Sequence, residues 1–114
     1  LRRIVYKVYH KKAVSRKLAL EPRNLHVLWN NYETGIGGSK PAKYFTKEDR
    51  GKVKHKYSRR LVLWKAVERM IRRGADCDAA IQRIYDVYRP LHKVTAILNA
   101  MRIDERNGGH ALLR

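Results

Sequence analysis

Residues 52–73 constrain the fold more than any other part of this chain. Their apolar side chains recur at spacings of three and four residues, which is the repeat of one helix face. The stripe consists of Val53, Tyr57, Leu61, Trp64, Val67 and Ile71, and Leu63 and Met70 widen it. The pattern predicts a helix of about 20 residues, roughly 30 Å long, which ends before Gly74. Such a helix must bury its stripe against other elements.

Basic side chains occupy the rest of this helix and crowd its first half. Residues 51–73 hold nine Lys and Arg against one acid, and residues 1–20 hold seven Lys and Arg with no acid. The two remaining segments together carry only +2 of the chain's net charge of +17. Cations at a helix N-terminus oppose the helix dipole. An anionic partner explains this placement, and nucleic acid is the commonest polyanion.

The other elements are also helical by pattern. Apolar periodicity, capping residues and terminal glycines predict a helix from Asn24 to Gly35 and a turn at 41–45. A short helix should begin after Thr46 and be interrupted at Gly51. Two further helices are predicted, one over 79–88 with Asp76 or Asp78 as its cap and one from Lys93 to Arg106. Residues 1–20 fit a helix face or an extended strand equally well.

These elements predict an all-α fold. We expect a compact bundle of four to six helices with helix-turn-helix-like packing around Trp29 and Trp64, preceded by a basic N-terminal arm. The expected boundaries are an arm at 1–20, a helical DNA-binding domain at 21–109 and a tail at 110–114. Because the chain begins at Leu1 rather than Met, we expect it to be part of a longer protein.

Patterns that carry catalysis or bind cofactors are missing from the sequence. A single cysteine, Cys77, permits neither an internal disulfide nor a cysteine-pair zinc site. The glycine-rich segment 35–41 places Ser39 before Lys40, the reverse of the order that a phosphate-binding loop needs. No apolar run is long enough to span a membrane. We therefore expect a binding module with no catalytic residue, metal, cofactor, small-molecule substrate or membrane contact.

The basic helix supplies the first choice for contacts with double-stranded DNA. Lys56, Arg59 and Arg60 lie within about one turn of each other, and arginine reads guanine through two parallel hydrogen bonds. The residues expected to grip phosphates are Lys7, Lys11, Lys12, Arg16, Lys17, Lys43, Lys47, Arg50, Lys52 and Lys54.

A second placement of the reading helix stays open. The helices over 79–88 and 93–106 could form a helix-turn-helix around the turn at 89–92. The second helix would then present Lys93, Thr95, Asn99 and Arg102 to the groove. The charge of +8 in residues 51–73, against +1 in residues 74–114, favours the first placement.

Two other functions also stay open. An RNA-binding or ribosome-associated basic protein would expose aromatic side chains for base stacking, and Tyr6, Tyr9 and Tyr44 are the available platforms. A helical bundle that binds an acidic protein partner would show no affinity for nucleic acid at physiological salt.

Two segments resemble a family of fungal DNA-binding domains. They are Leu25-His-Val-Leu28-Trp29-Asn-Asn-Tyr32-Glu33-Thr-Gly35-Ile-Gly37-Gly38 and Tyr57-Ser58-Arg59-Arg60-Leu-Val-Leu-Trp-Lys-Ala-Val. Both are similar to the C-terminal region of the yeast glycolytic-gene transcription activator and its relatives. Similar domains also occur beside Crypton-type tyrosine recombinases. The resemblance covers residues 20–73 and departs from the family pattern at Asn30 and Asn31, where a glutamate is usual, and in lacking the Trp-Arg pair before Arg59.

The resemblance implies a double-stranded DNA-binding domain of a transcription regulator or mobile-element protein. It also implies sequence-directed binding in the nucleus, with Arg59 and Arg60 close to the DNA.

Overall fold

The computed structural model describes residues 18–113, and all regular secondary structure in this range is helical. The α-helices are α1 (Leu25–Glu33), α2 (Lys47–Arg50), α3 (Lys54–Arg72), α4 (Cys77–Val87) and α5 (Val94–Arg106). Short 3-10 turns cover Ala42–Tyr44, Gly51–Val53 and Ala111–Leu113. The predicted all-α fold is confirmed. The predicted arm, except for its last three residues, lies outside the described part of the chain.

Side-chain caps begin three of these helices. The Asn24 carboxamide accepts a hydrogen bond from the Val27 N–H at 2.9 Å, and the Asp76 carboxylate accepts one from the Ala79 N–H at 2.7 Å. Asp76 is therefore the cap of α4, which decides between the two aspartates left open by the sequence. Thr46 and Asp49 form a reciprocal capping box at α2.

Glycine ends α1 as the sequence predicts. Gly35 follows the last turn with a φ of 88° and donates its N–H to the Asn30 carbonyl at 2.9 Å. A Cβ atom here would lie 2.1 Å from the Ser39 carbonyl oxygen, so the loop closes too tightly for any side chain. This closure turns the chain back towards α2.

The long basic helix is shorter than the apolar pattern predicts. Gly51 interrupts the helical run, and α3 begins only at Lys54. The prediction that Ile71 belongs to the buried stripe is wrong, because Ile71 is 38% exposed whereas Met70 is buried. Neighbouring residues point about 100° apart on a helix. At the end of α3 the core lies on the side of Met70, so Ile71 is left partly exposed.

An aromatic cluster forms the centre of the core. The Trp64 side chain is fully buried, and its Nε1 donates a hydrogen bond to the Leu28 carbonyl at 2.9 Å. The Tyr32 ring stacks on it with centroids 4.8 Å apart, and the Tyr57 ring meets it edge-on at 5.2 Å. This cluster joins α1 to α3 and confirms the predicted place of the tryptophans in the core.

The helix α3 is the centre of the bundle. It packs against α5 more extensively than against any other helix, and it also contacts α1 and α4. The chain returns to the core after α5, where Leu113 is buried and Leu112 is exposed. Because α3 and α5 lie side by side, side chains from their first turns reach a common surface.

Candidate nucleic-acid interface

One open groove brings together residues from both of the placements that the sequence left open for the reading helix. Its walls are the first half of α3, the first half of α5 and the chain segment that precedes α1. The groove has a volume of about 910 Å³. Its polar and charged lining consists of Glu21, Arg23, Lys56, Arg59, Arg60, Lys93, Thr95 and Asn99. The proposed base contacts of the first placement, Lys56, Arg59 and Arg60, therefore share one surface with three of the four residues of the second placement. These three are Lys93, Thr95 and Asn99.

The groove is strongly positive. Five cations and one acid line it, and the acid, Glu21, is exposed. None of the five cations forms an ion pair with any residue in the range 18–113. Arg23, Arg59 and Lys93 are exposed and Lys56 is half-buried, so four of these charges are accessible from solvent. Because these cations outnumber the one acid and form no ion pairs among the described residues, their field attracts an anion.

Arg60 has a different environment from Lys56 and Arg59. Its side chain is only 5% exposed, and its guanidinium donates a hydrogen bond through Nη2 to the Ala19 carbonyl. The Asn31 carboxamide oxygen accepts a hydrogen bond from the Ala19 N–H at 2.9 Å. Both backbone groups of Ala19 are thus held, one by α3 and one by α1. Contact with a base would require Arg60 to release Ala19.

The buried guanidinium of Arg60 forms no ion pair with any residue that the structure describes. Burial, together with the neighbouring charge of Arg59, lowers the pKa of Arg60 to about 10. The Nη1 atom is covered by protein and finds no hydrogen-bond acceptor among the described residues. Burying an unpaired charged group is costly, so the fold maintains a positive charge under the groove at a cost in stability.

The N-terminus of α5 opens into the same groove. Its cap residue, Lys93, makes no side-chain hydrogen bond to the helix, and Val94, Thr95 and Ala96 of the first turn all line the groove. Asn99 lies one turn further and is exposed, as is Thr95. Arg102, the last second-choice residue, is half-buried and does not line the groove.

The other predicted phosphate contacts fall into three groups. Lys47 on α2, Lys52 on the 3-10 turn before α3 and Lys54 at the start of α3 are all exposed. Lys43 forms an ion pair with Glu33 at 2.8 Å, and the Arg50 guanidinium lies over the Tyr57 ring at 4.4 Å. The predicted contacts of the arm are Lys7, Lys11, Lys12, Arg16 and Lys17, and they lie outside the described residues.

Sequence reasoning missed Arg23 as a residue of the groove. The only signal was its position directly after Pro22, at the entry to α1, and that position does not reveal which surface the segment covers. Lys40 lies in the glycine-rich segment after α1, and its side chain is not free in solvent. Its ammonium group is buried and pairs with the Asp49 carboxylate at 2.6 Å.

Residues 18–113 contain neither a metal-binding cluster nor a membrane-spanning helix. No group of three or more His, Cys, Asp and Glu side chains in this range could hold a metal ion. No helix in the same range is both long and apolar enough to cross a membrane. Cys77 is partly buried at the start of α4.

Over residues 18–113, the fold and the groove define a small all-helical domain with a basic surface whose cations form no ion pairs in that range. A family model described as "transcriptional activator of glycolytic enzymes" matches residues 16–89, which is more than half of the chain. The chain belongs to this family, which is one of transcriptional activators and not of enzymes. The match ends at residue 89, two residues after the end of α4, whereas the resemblance seen in the sequence ended at residue 73. It leaves the similarity to Crypton-associated domains as a prediction.

No curated protein matches the chain. No solved structure matches it either.

Proposed function

We propose that this chain is a sequence-directed double-stranded DNA-binding domain of a transcription regulator and that it acts in the nucleus. The observation that carries the proposal is the shared groove. Accessible cations from α3 and α5 face one surface there and form no ion pair within residues 18–113. Membership of a family of transcriptional activators supports the same conclusion. A mobile-element protein with the same domain would bind DNA through the same surface.

Each accessible side chain in the groove has a role in this proposal. Lys56 and Arg59 on α3, with Asn99 on α5, are the proposed contacts with base edges, because arginine and lysine pair with guanine and asparagine pairs with adenine. Arg23, Lys93 and the exposed Lys47, Lys52 and Lys54 are the proposed phosphate contacts. Arg60 holds Ala19 in place and is proposed to act on DNA through its charge.

RNA binding by base stacking has less support. Trp29 and Trp64 are buried in the core, so neither offers a free ring. Tyr44 is half-buried, and its ring lies 5.3 Å from the Lys43 ammonium group. Recognition of an acidic protein partner has no observation of its own beyond the same positive surface.

Arg59 and Arg72 provide a matched pair of variants. Both are exposed arginines on α3, but they lie about 20 Å apart along the helix axis, and only Arg59 lines the groove. We expect Arg59→Ala to weaken binding to duplex DNA by about 5- to 150-fold, as for the loss of 1–3 kcal/mol. Arg72→Ala, with the same change in charge, should weaken binding by less than about 2-fold.

Fluorescence anisotropy with a selected site and with a scrambled duplex measures both variants. If Arg59 contacts a base, Arg59→Ala also narrows the difference in affinity between the two duplexes. The logarithm of the binding constant should fall with the logarithm of salt concentration with a slope of roughly −5 to −7, for six to eight neutralised phosphates. Equal losses in Arg59→Ala and Arg72→Ala, or a slope near −1, would rule the proposal out.

A further inference from the structure

The first turn of α5 has free backbone donors. A helix leaves its first N–H groups without intrahelical partners, and the Lys93 side chain does not cap those of α5. The N–H groups of Val94, Thr95 and Ala96 find no acceptor among the described residues. The three residues line the groove, and the positive end of the helix dipole lies with them. Such a terminus favours an anion.

Arg60 is an independent sign that an anion belongs here. Its side chain lines the same groove and is 95% buried, and Nη1 has no acceptor within residues 18–113. Because Nη1 is covered by protein, an anion in the groove would interact with Arg60 mainly through its charge. The low dielectric around a buried cation strengthens that attraction. The anion would supply the counter-charge that the fold leaves out.

The positive lining of the groove suits a phosphate group. Lys93 is exposed beside the first-turn N–H groups of α5 and can donate charge-assisted hydrogen bonds to phosphate oxygens. We propose that the N-terminus of α5, with Lys93 and the charge of Arg60, binds one phosphate of the DNA backbone. This inference rests on the proposed function and adds to it: the bound phosphate fixes how α3 and α5 are set against the duplex.

Two substitutions of Lys93 separate this site from general positive charge. Lys93→Asn and Lys93→Gln remove the same charge, but asparagine is a good N-cap and glutamine is not. The backbone of Lys93 is already extended, with φ −76° and ψ 135°, so an asparagine there can cap the N–H groups of Thr95 and Ala96. The cap would occupy the donors that the phosphate needs. It should also raise the melting temperature, so a loss of binding cannot come from unfolding.

We expect Lys93→Asn to bind duplex DNA about 3- to 10-fold more weakly than Lys93→Gln, a difference set by competition at the helix terminus. Equal affinities of the two variants would overturn the phosphate site. If the large loss in Arg59→Ala persisted in that case, the proposed DNA-binding function would still stand.

A titration with inorganic phosphate tests the site without DNA. In amide-resolved NMR, the signals of Val94, Thr95 and Ala96 should shift and saturate, whereas chloride at the same ionic strength should leave them in place. The same signals should respond less in Lys93→Asn. Shifts spread evenly over the basic surface, with none concentrated at the start of α5, would overturn the inference.

Discussion

Replacing Lys40 by methionine removes a buried ammonium group while keeping most of the apolar stem. In the structure, this ammonium group lies 2.6 Å from the Asp49 carboxylate, and the two side chains are 7% and 5% exposed. Asp49 also accepts a hydrogen bond from the Thr46 N–H at 2.9 Å. The pair therefore connects the glycine-rich loop after α1 to the first turn of α2.

The burial of the pair sets the magnitude of the effect. Removing one partner of a buried ion pair leaves the other charge desolvated and costs about 3–5 kcal/mol. A domain of this size has a total stability of about 5–15 kcal/mol. Lys40→Met should therefore remove a large part of the free energy of unfolding.

The chain contains a matched control for this substitution. Lys43 also pairs with a carboxylate, that of Glu33, at 2.8 Å, but these side chains are 26% and 42% exposed. Solvent screens such a pair, so Lys43→Met should cost about 0–1 kcal/mol. Urea denaturation, followed by the fluorescence of the buried Trp29 and Trp64, measures both variants. A cost for Lys40→Met below about 1 kcal/mol, or equal to that of Lys43→Met, would refute the reasoning from burial.

Two further predictions concern stability. Gly35→Ala should destabilise the domain by more than the roughly 1–2 kcal/mol that positive φ alone costs, because its Cβ would meet the Ser39 carbonyl. Gly37→Ala has open space around it and should cost only the strain of positive φ. Equal costs of the two variants in urea denaturation would contradict the close contact at Gly35. Burial and the hydrogen bond to Glu68 raise the pKa of Tyr32 above its ordinary value. The folded state therefore keeps a proton that the unfolded chain loses near pH 10. The free energy of unfolding should fall as pH rises above about 10. Tyr32→Phe should reduce this fall, and an unchanged alkaline limb would speak against it.

The sequence was sufficient to predict the helices and the place of the charge. Spacings of three and four residues identified α1, α3, α4 and α5 because each helix buries one face. The charge excess in residues 51–73 directed attention to the start of α3, and the structure places accessible cations there. These features are local, so local patterns reveal them.

The spacing of the apolar residues could also have predicted that Arg60 is buried and Arg59 is exposed. Arg60 stands three residues after Tyr57 and four before Trp64, which is the spacing of the buried stripe. Arg59 lies about 100° around the helix and faces solvent. Treating both arginines as equivalent ignored this geometry.

The shape of the groove could not be predicted from local patterns. It requires the segment before α1 to fold back, and the contact of Ala19 with Arg60 spans 41 residues of sequence. The two placements of the reading helix also looked like alternatives because the sequence does not say that α3 packs along α5. Tertiary packing brought both sets of residues to one surface.

The central claim is that the groove between α3 and α5 is the DNA-binding surface, and amide-resolved NMR with duplex DNA tests it most directly. At about 150 mM salt, the largest changes should fall at residues 56–60 and 93–99, with little change in the second half of α3 around Arg72. Changes concentrated around Arg72 and α4, or no change on addition of duplex, would contradict the account.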